Sequence, residues 1–244
     1  MNAHPSDVAS IVLPVGHYQG AFHPGRGLPP SHHVVRMGWE AVRLTEEIEV
    51  DVWGLAHGLP AEMETAKAWN RACVLDAAAE AGHPGAEPVL DRLLDRGLVV
   101  EVGPGTAQAR EFARFHRLQP LLVGLGQAPD ESVVPAESVA PDGAPAPDGG
   151  QPRGEPVDAI GVPGLLVALR ATPRVFEVWE WAHLWPDLWS ACEGLAEAGR
   201  DAGETEPTAT DPDEVLTFVL GAAQTLIAHG AAYLDHRPRP APRP

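Results

Sequence analysis

The sequence predicts an α+β fold, mostly helical, made of two tandem domains related by internal duplication. Three observations predict it. Residues 50–60 (VDVWGLAHGLP) and 176–186 (FEVWEWAHLWP) align at a constant spacing of 126, with Val, Trp, Ala, His and Pro identical and an acid kept before Val-Trp. Further matches follow in the same order. Trp69, Cys73 and 79–82 (AEAG) face Trp189, Cys192 and 196–199 (AEAG), and 93–100 faces 226–233 around the shared Gly97 and Gly230. Lastly, 244 residues of which 44% are hydrophobic suffice for two small cores. The chain divides into a tail at 1–8, a first copy at 9–118, a second at 119–236 and a tail at 237–244.

Each element of the first copy has a local cause. Residues 10–15 (SIVLPV) read as a short strand ending in a glycine turn. Residues 33–37 and 41–44 read as a hairpin around Gly38, Trp39 and Glu40. Thr45 reads as an N-cap, with Glu46 and Glu47 complementing the helix dipole. The helix that follows places Ile48, Val52, Leu55 and Leu59 on one face and stops at Gly58 and Pro60. A second helix is expected over 61–81 and a third over 87–96, closed by Gly97. Residues 98–102 form a strand, and a helix over 107–116 leads into the second copy.

The second copy repeats this order. Thr172-Pro173 and Asp211-Pro212 are N-cap and first-turn pairs that start its helices. Residues 15–19 are matched with 123–127. An acidic, Pro-rich insertion at 128–156 holds almost no large apolar residue and is expected to be a flexible loop.

Strand, hairpin, three helices and a closing strand make a winged-helix-like order, so two winged-helix-like domains are expected. The run from Arg43 through Val52-Trp53-Gly54-Leu55-Ala56-His57-Gly58, followed by 89–99 (VLDRLLDRGLV), resembles the PqqD family over about 60 residues. That resemblance implies a non-catalytic module that takes a peptide as an added strand on its N-terminal sheet, against the third helix. The matching surface would be 33–36 and 86–94, with Val34, Val35, Arg36, Val89 and Leu90 as partner-binding residues. Trp181 and Trp185, four apart, would share a helix face; with Trp189 they form a stripe that could pack on the other copy or on a partner.

The function expected is therefore recognition of a protein or peptide partner, without catalysis. The alternative is a DNA-binding regulator whose two copies imitate a dimer. A net charge of −17 disfavours contact with phosphate backbones and anionic lipid. The third helix of copy one carries Glu87, Asp91 and Asp95 against Arg92 and Arg96, and its counterpart over 211–229 has no Lys or Arg. Arg110, Arg114, His116 and Arg117 form a basic stripe, read as a solvated face.

No cofactor and no metal are expected. His57 and His183 recur at equivalent places near a helix end, where a histidine commonly bonds a carbonyl. His17, His23, His32 and His33 match no zinc spacing. No phosphate-binding glycine loop and no nucleophile elbow occur. The first residues lack a basic, apolar leader, and no apolar run reaches the ~18 residues of a membrane span. A cytoplasmic protein is expected.

Overall fold

The computed structural model describes residues 10–63, 68–127 and 157–238. The expected flexible loop at 128–156, the tail at 1–8 and most of the tail at 237–244 lie outside the described residues.

The first half runs β1 (Ile11–Pro14), β2 (His17–Phe22), β3 (His32–Met37), β4 (Glu40–Leu44), α1 (Glu47–Leu55), α2 (Pro60–Met63), α3 (Arg71–Glu80), α4 (Glu87–Asp95) and β5 (Val99–Val102). Helix α5 (Ala107–Phe115) leads directly into β6 (His116–Pro120). Then follow β7 (Val123–Gln127), β8 (Asp158–Val162), β9 (Leu166–Ala171), α6 (Pro173–Trp181), α7 (Leu188–Asp201), α8 (Pro207–Thr210), α9 (Pro212–Ala228) and β10 (Ala232–His236). Helix accounts for 45% and strand for 27% of the described residues. The class is α+β, and the expected predominance of helix does not hold, because β2 and β7 to β9 were not legible as strands. The division at 118/119 falls inside β6.

Strand pairing repeats between the halves. β1 pairs antiparallel with β5, and β6 with β10; β2-β3-β4 and β7-β8-β9 form three-stranded antiparallel sheets. The irregularity in the first strand of each sheet falls at the same register, between Tyr18 and Gly20 and between Gly124 and Gly126. This matches Tyr18 with Gly124, two residues away from the alignment of 15–19 with 123–127.

The tryptophans of the repeated motif are held alike. Trp53 is 5% exposed and donates its indole N–H to Leu98 O at 3.2 Å; Trp179 is 9% exposed and donates to Ala231 O at 3.2 Å. Each carbonyl takes a second bond at 2.9 Å, from Val15 N and Leu121 N respectively. The indole thus pins its helix to the strand pair behind it in both halves.

The tryptophan and cysteine pairing further on is different. Asn70 caps α3 through Cys73 N and Asp187 caps α7 through Ser190 N, so these caps are the counterparts. Trp69 precedes its cap and bonds Leu55 O at 3.0 Å, whereas Trp189 is inside α7 and bonds Glu193 at 2.8 Å. Similarly, α3 ends at Gly82 and α7 at Gly203, both with positive φ, while Gly199 lies within α7. Expected residues 61–81 are two separate helices. Helix α1 is capped at Glu46, one residue beyond Thr45, and Glu49 accepts from Thr45 N at 3.0 Å.

The halves share β1. All four of its residues are buried. Ile11 and Leu13 belong to the core of the second half, with Phe112, Leu220 and Leu226, while Val12 belongs to the core of the first, with Trp53, Leu90 and Leu93. Opposite side-chain directions along a strand place one strand in two cores. Helix α5 also joins the second core, through Ala109, Phe112 and Ala113. The basic stripe on α5 stays at the surface, as expected, with Arg114 exposed and Arg110 half-exposed, but its arginines have partners. Arg110 pairs with Asp213 of α9, and Arg110 and Arg114 both lie over the Trp189 ring.

Two buried polar side chains lock the junction. Gln224 of α9 accepts from Trp69 N at 3.3 Å and donates to Trp69 O at 2.7 Å and Val12 O at 3.0 Å. Asp235 of β10 is fully buried and accepts from Gly38 N, from Arg36 at 3.1 Å and from His236 N at 3.0 Å. Val15 bridges to Leu234, joining β1 to β10. The reciprocal pairing, β6 with β5, is absent among the described residues. The contact is head-to-tail, unlike the self-complementary contact of a two-fold dimer.

His116 gives this junction a pH dependence. Its Nδ1 donates to Phe112 O at 2.9 Å and its ring stacks on Phe112 at 4.2 Å. Burial, above all, holds its pKa down to about 4 from 6.5. The unfolded chain therefore binds more protons between those values, and stability falls as pH drops through that window. In urea unfolding, the midpoint is expected to fall from pH 7 to pH 4, less steeply in His116→Gln. Equal slopes in the two proteins would show that His116 is not buried as a neutral ring.

Candidate functional site: an open groove beside an edge strand

The expected peptide surface on the first half is not available. Val35 and Leu90 are fully buried and Val89 is 5% exposed, all within the first core. Their apolar side chains close the sheet onto α4 and cannot meet a partner. Val34 and Arg36 lie on β3, which is the central strand of its sheet, paired on both sides. An added strand needs a free edge. Arg36 is turned to the second half instead, bonding Tyr233 Oη at 2.8 Å as well as Asp235.

Trp181 and Trp185 remain accessible, at 48% and 40%. They do not share one helix face, because α6 ends at Trp181 and a 3-10 turn (Ala182–Leu184) intervenes. Trp185 lies against Gly194 of α7, where any Cβ would collide with the indole. Trp189, the third of the stripe, is taken by α5.

An open concavity occurs on the second half instead. A groove of about 730 Å³ runs beside β9, lined by that strand, by Thr172 and Val175 at the start of α6, by Thr225 and His229 at the end of α9, and by Met63. Among the described residues β9 is an edge strand, paired only with β8. It is positioned by the Thr172-Pro173 start of α6 and by a bulge opposite Gly161, where a Cβ would meet Leu166 O at 2.0 Å.

The same place on the first half is closed. Matching helix caps and the Gly97/Gly230 ends makes Glu46, Glu49, Arg92 and Arg96 the counterparts of Thr172, Val175, Thr225 and His229. Arg92 pairs with Glu46 at 3.0 Å and Arg96 with Glu49 at 2.8 Å. Arg96 also donates to Arg43 O, on the edge strand β4. Two ion pairs thus span the first groove, and shorter or uncharged side chains leave the second open. This contrast was present in the sequence, but became visible only with the caps in register.

A second concavity, of about 580 Å³, lies between the halves. It is lined by His17, Tyr18, Trp53, Gly54 and His57 of the first half and by Ile227, Gly230 and Tyr233 of the second, among others. His17 stacks on Tyr233 at 4.8 Å, and Trp53 meets His57 edge-on at 4.4 Å. His57 Nδ1 donates to Trp53 O at 2.9 Å, the carbonyl bond expected of it. His183 differs, since its Nδ1 is buried without a hydrogen-bond partner among the described residues. Burial lowers the pKa of His57, and burial followed by the nearby Arg36 lowers that of His17, so both rings are neutral near pH 7. Among the described residues no three metal-ligating side chains come together, and no helix is long and apolar enough to cross a membrane.

The fold and the groove define an α+β protein whose described residues leave the edge-strand groove of the second half open and cross that of the first with ion pairs. No family model matches the chain, and no curated protein and no solved structure matches it.

Proposed function

We propose that this chain is a non-catalytic recognition protein of two winged-helix-like units, and that it binds an extended peptide by strand addition at β9. The observation that carries the reading is the edge of β9, unpaired among the described residues, beside a groove walled by α9, the last helix of its unit. Main-chain N–H and C=O groups on such an edge can pair with a peptide, and the groove takes alternate side chains. Repeated strand pairing, and the Trp53 and Trp179 bonds to matching carbonyls, support descent of the two units from one. The ion pairs over the first groove restrict binding to one peptide per chain.

The test grafts the closed groove onto the open one. Peptides of ~12 residues are selected from a displayed random library against the whole chain. They are then titrated against wild type and against Thr172→Glu, Val175→Glu, Thr225→Arg, His229→Arg combined. Selected peptides are expected to carry apolar residues at alternate positions, to slow amide exchange in β9, and to lose at least tenfold in affinity for the graft. Equal affinity for both proteins, or slowed exchange elsewhere with β9 unchanged, would overturn the reading. Tight, salt-resistant binding to genomic DNA fragments would favour a regulator, which the head-to-tail junction and the acidic charge disfavour.

A further inference from the structure

The cleft between the halves shares no lining residue with the β9 groove, and peptide recognition does not use it. We propose that it binds a small, uncharged aromatic molecule carrying one hydrogen-bond donor, of the indole or phenol class. Its size suits a bicyclic ring. Its walls are rings: the stacked His17 and Tyr233, then Tyr18, Trp53 and His57. Ring faces and edges at these positions receive an aromatic guest in offset or edge-on contact. No Asp, Glu, Lys or Arg lines the cleft, so a charged guest would lose its hydration without meeting a counter-charge.

The polar handle is His57. Two carbonyls, Trp53 O and Gly54 O, face its Nδ1, which must therefore carry the proton. In the neutral ring Nε2 is then an acceptor, and it has no partner among the described residues. An N–H or O–H on the guest satisfies it.

The second half supplies the contrast. There Phe176 stands where the first half has Val50, and it packs on Trp179 with ring centroids 5.3 Å apart. Gly124 stands where the first half has Tyr18, and a Cβ there would touch Phe176 at 3.2 Å. Phe176 packs on Trp179, whereas beside Trp53 the chain's own ring, Tyr18, stands farther off at 6.3 Å between centroids, and the two rings line an open cleft.

The experiment titrates the whole chain with indole, N-methylindole and benzoate, following the Trp53 indole N–H signal by NMR. Indole is expected to saturate one site, N-methylindole to bind roughly fivefold more weakly for want of one hydrogen bond, and benzoate not to bind. Gly54→Leu places a side chain into the cleft from a helix position where a Cβ meets nothing within 4 Å. It is expected to keep the melting temperature and weaken indole more than tenfold. His57→Phe should leave N-methylindole unchanged and bring indole down to its level. No saturable indole binding, equal binding of indole and N-methylindole to wild type, or undiminished binding by Gly54→Leu would each overturn the proposal.

Discussion

Trp53→Ala and Trp179→Ala are each expected to lower the stability of the chain by about 3–5 kcal/mol, the range for removing a buried large aromatic. Both side chains lie in the cores and both hold a helix to the strand pair behind it. The expectation is sharper for the conservative replacement. In Trp53→Phe the Leu98 carbonyl loses the indole N–H but keeps Val15 N, so no buried acceptor is left bare. Its cost should be nearer 1–2 kcal/mol, one hydrogen bond plus the volume change. The same holds for Trp179→Phe, where Ala231 O keeps Leu121 N. Urea unfolding of the four variants checks this. A Trp53→Ala protein of unchanged stability would place the indole outside the load of the core.

Asp235→Ala is expected to cost about 3 kcal/mol, the lower end for breaking a buried ion pair by removing one partner. The carboxylate is fully buried and takes Gly38 N and Arg36 from the first half and His236 N from its own strand. Removal leaves Gly38 N without this acceptor and Arg36 without its counter-charge. The lower end applies because a third of the Arg36 side chain is exposed, so water recovers part of the loss. Asp235→Asn should fall between wild type and the alanine variant, since it keeps an acceptor oxygen and loses the charge. Urea midpoints of both variants decide it. An alanine variant within about 0.5 kcal/mol of wild type, the range of ordinary surface changes, would show that the carboxylate does not organise the hairpin.

The parts of this fold that sequence made legible are those with a local cause. Thr172-Pro173 and Asp211-Pro212 do start α6 and α9. Apolar periodicity with Gly97 bounded α4, and Gly38 marked the turn between β3 and β4. What was missed depends on partners distant in the chain. β2 and β7 are glycine-containing strands with half-exposed faces, so their alternation is too faint to read. Trp69 and Trp189 look equivalent in sequence, yet one tops a helix and the other lies within one, because only the caps preserve the register. For the candidate site, the resemblance drew attention to β3 and α4. Pairing decides which strand is an edge, and that is not written in any single segment. The four apolar residues 11–14 signalled burial on both faces, but not that the two faces serve different cores.

The strand shared by both cores constrains the order of events in folding. β1 leaves the ribosome long before α9 and β10, which share the second core with Ile11 and Leu13. Once β5 has been made, the first half can close over Val12, but the core on the outer face of β1 stays incomplete until the last helix arrives. During synthesis that face is a sticky surface with a fixed lifetime, set by the ~100 residues still to be added at 5–20 per second. The same arrangement ties the two halves into one cooperative unit. Neither can melt without stripping a wall from the other, so heating should give a single transition, with no half-folded plateau.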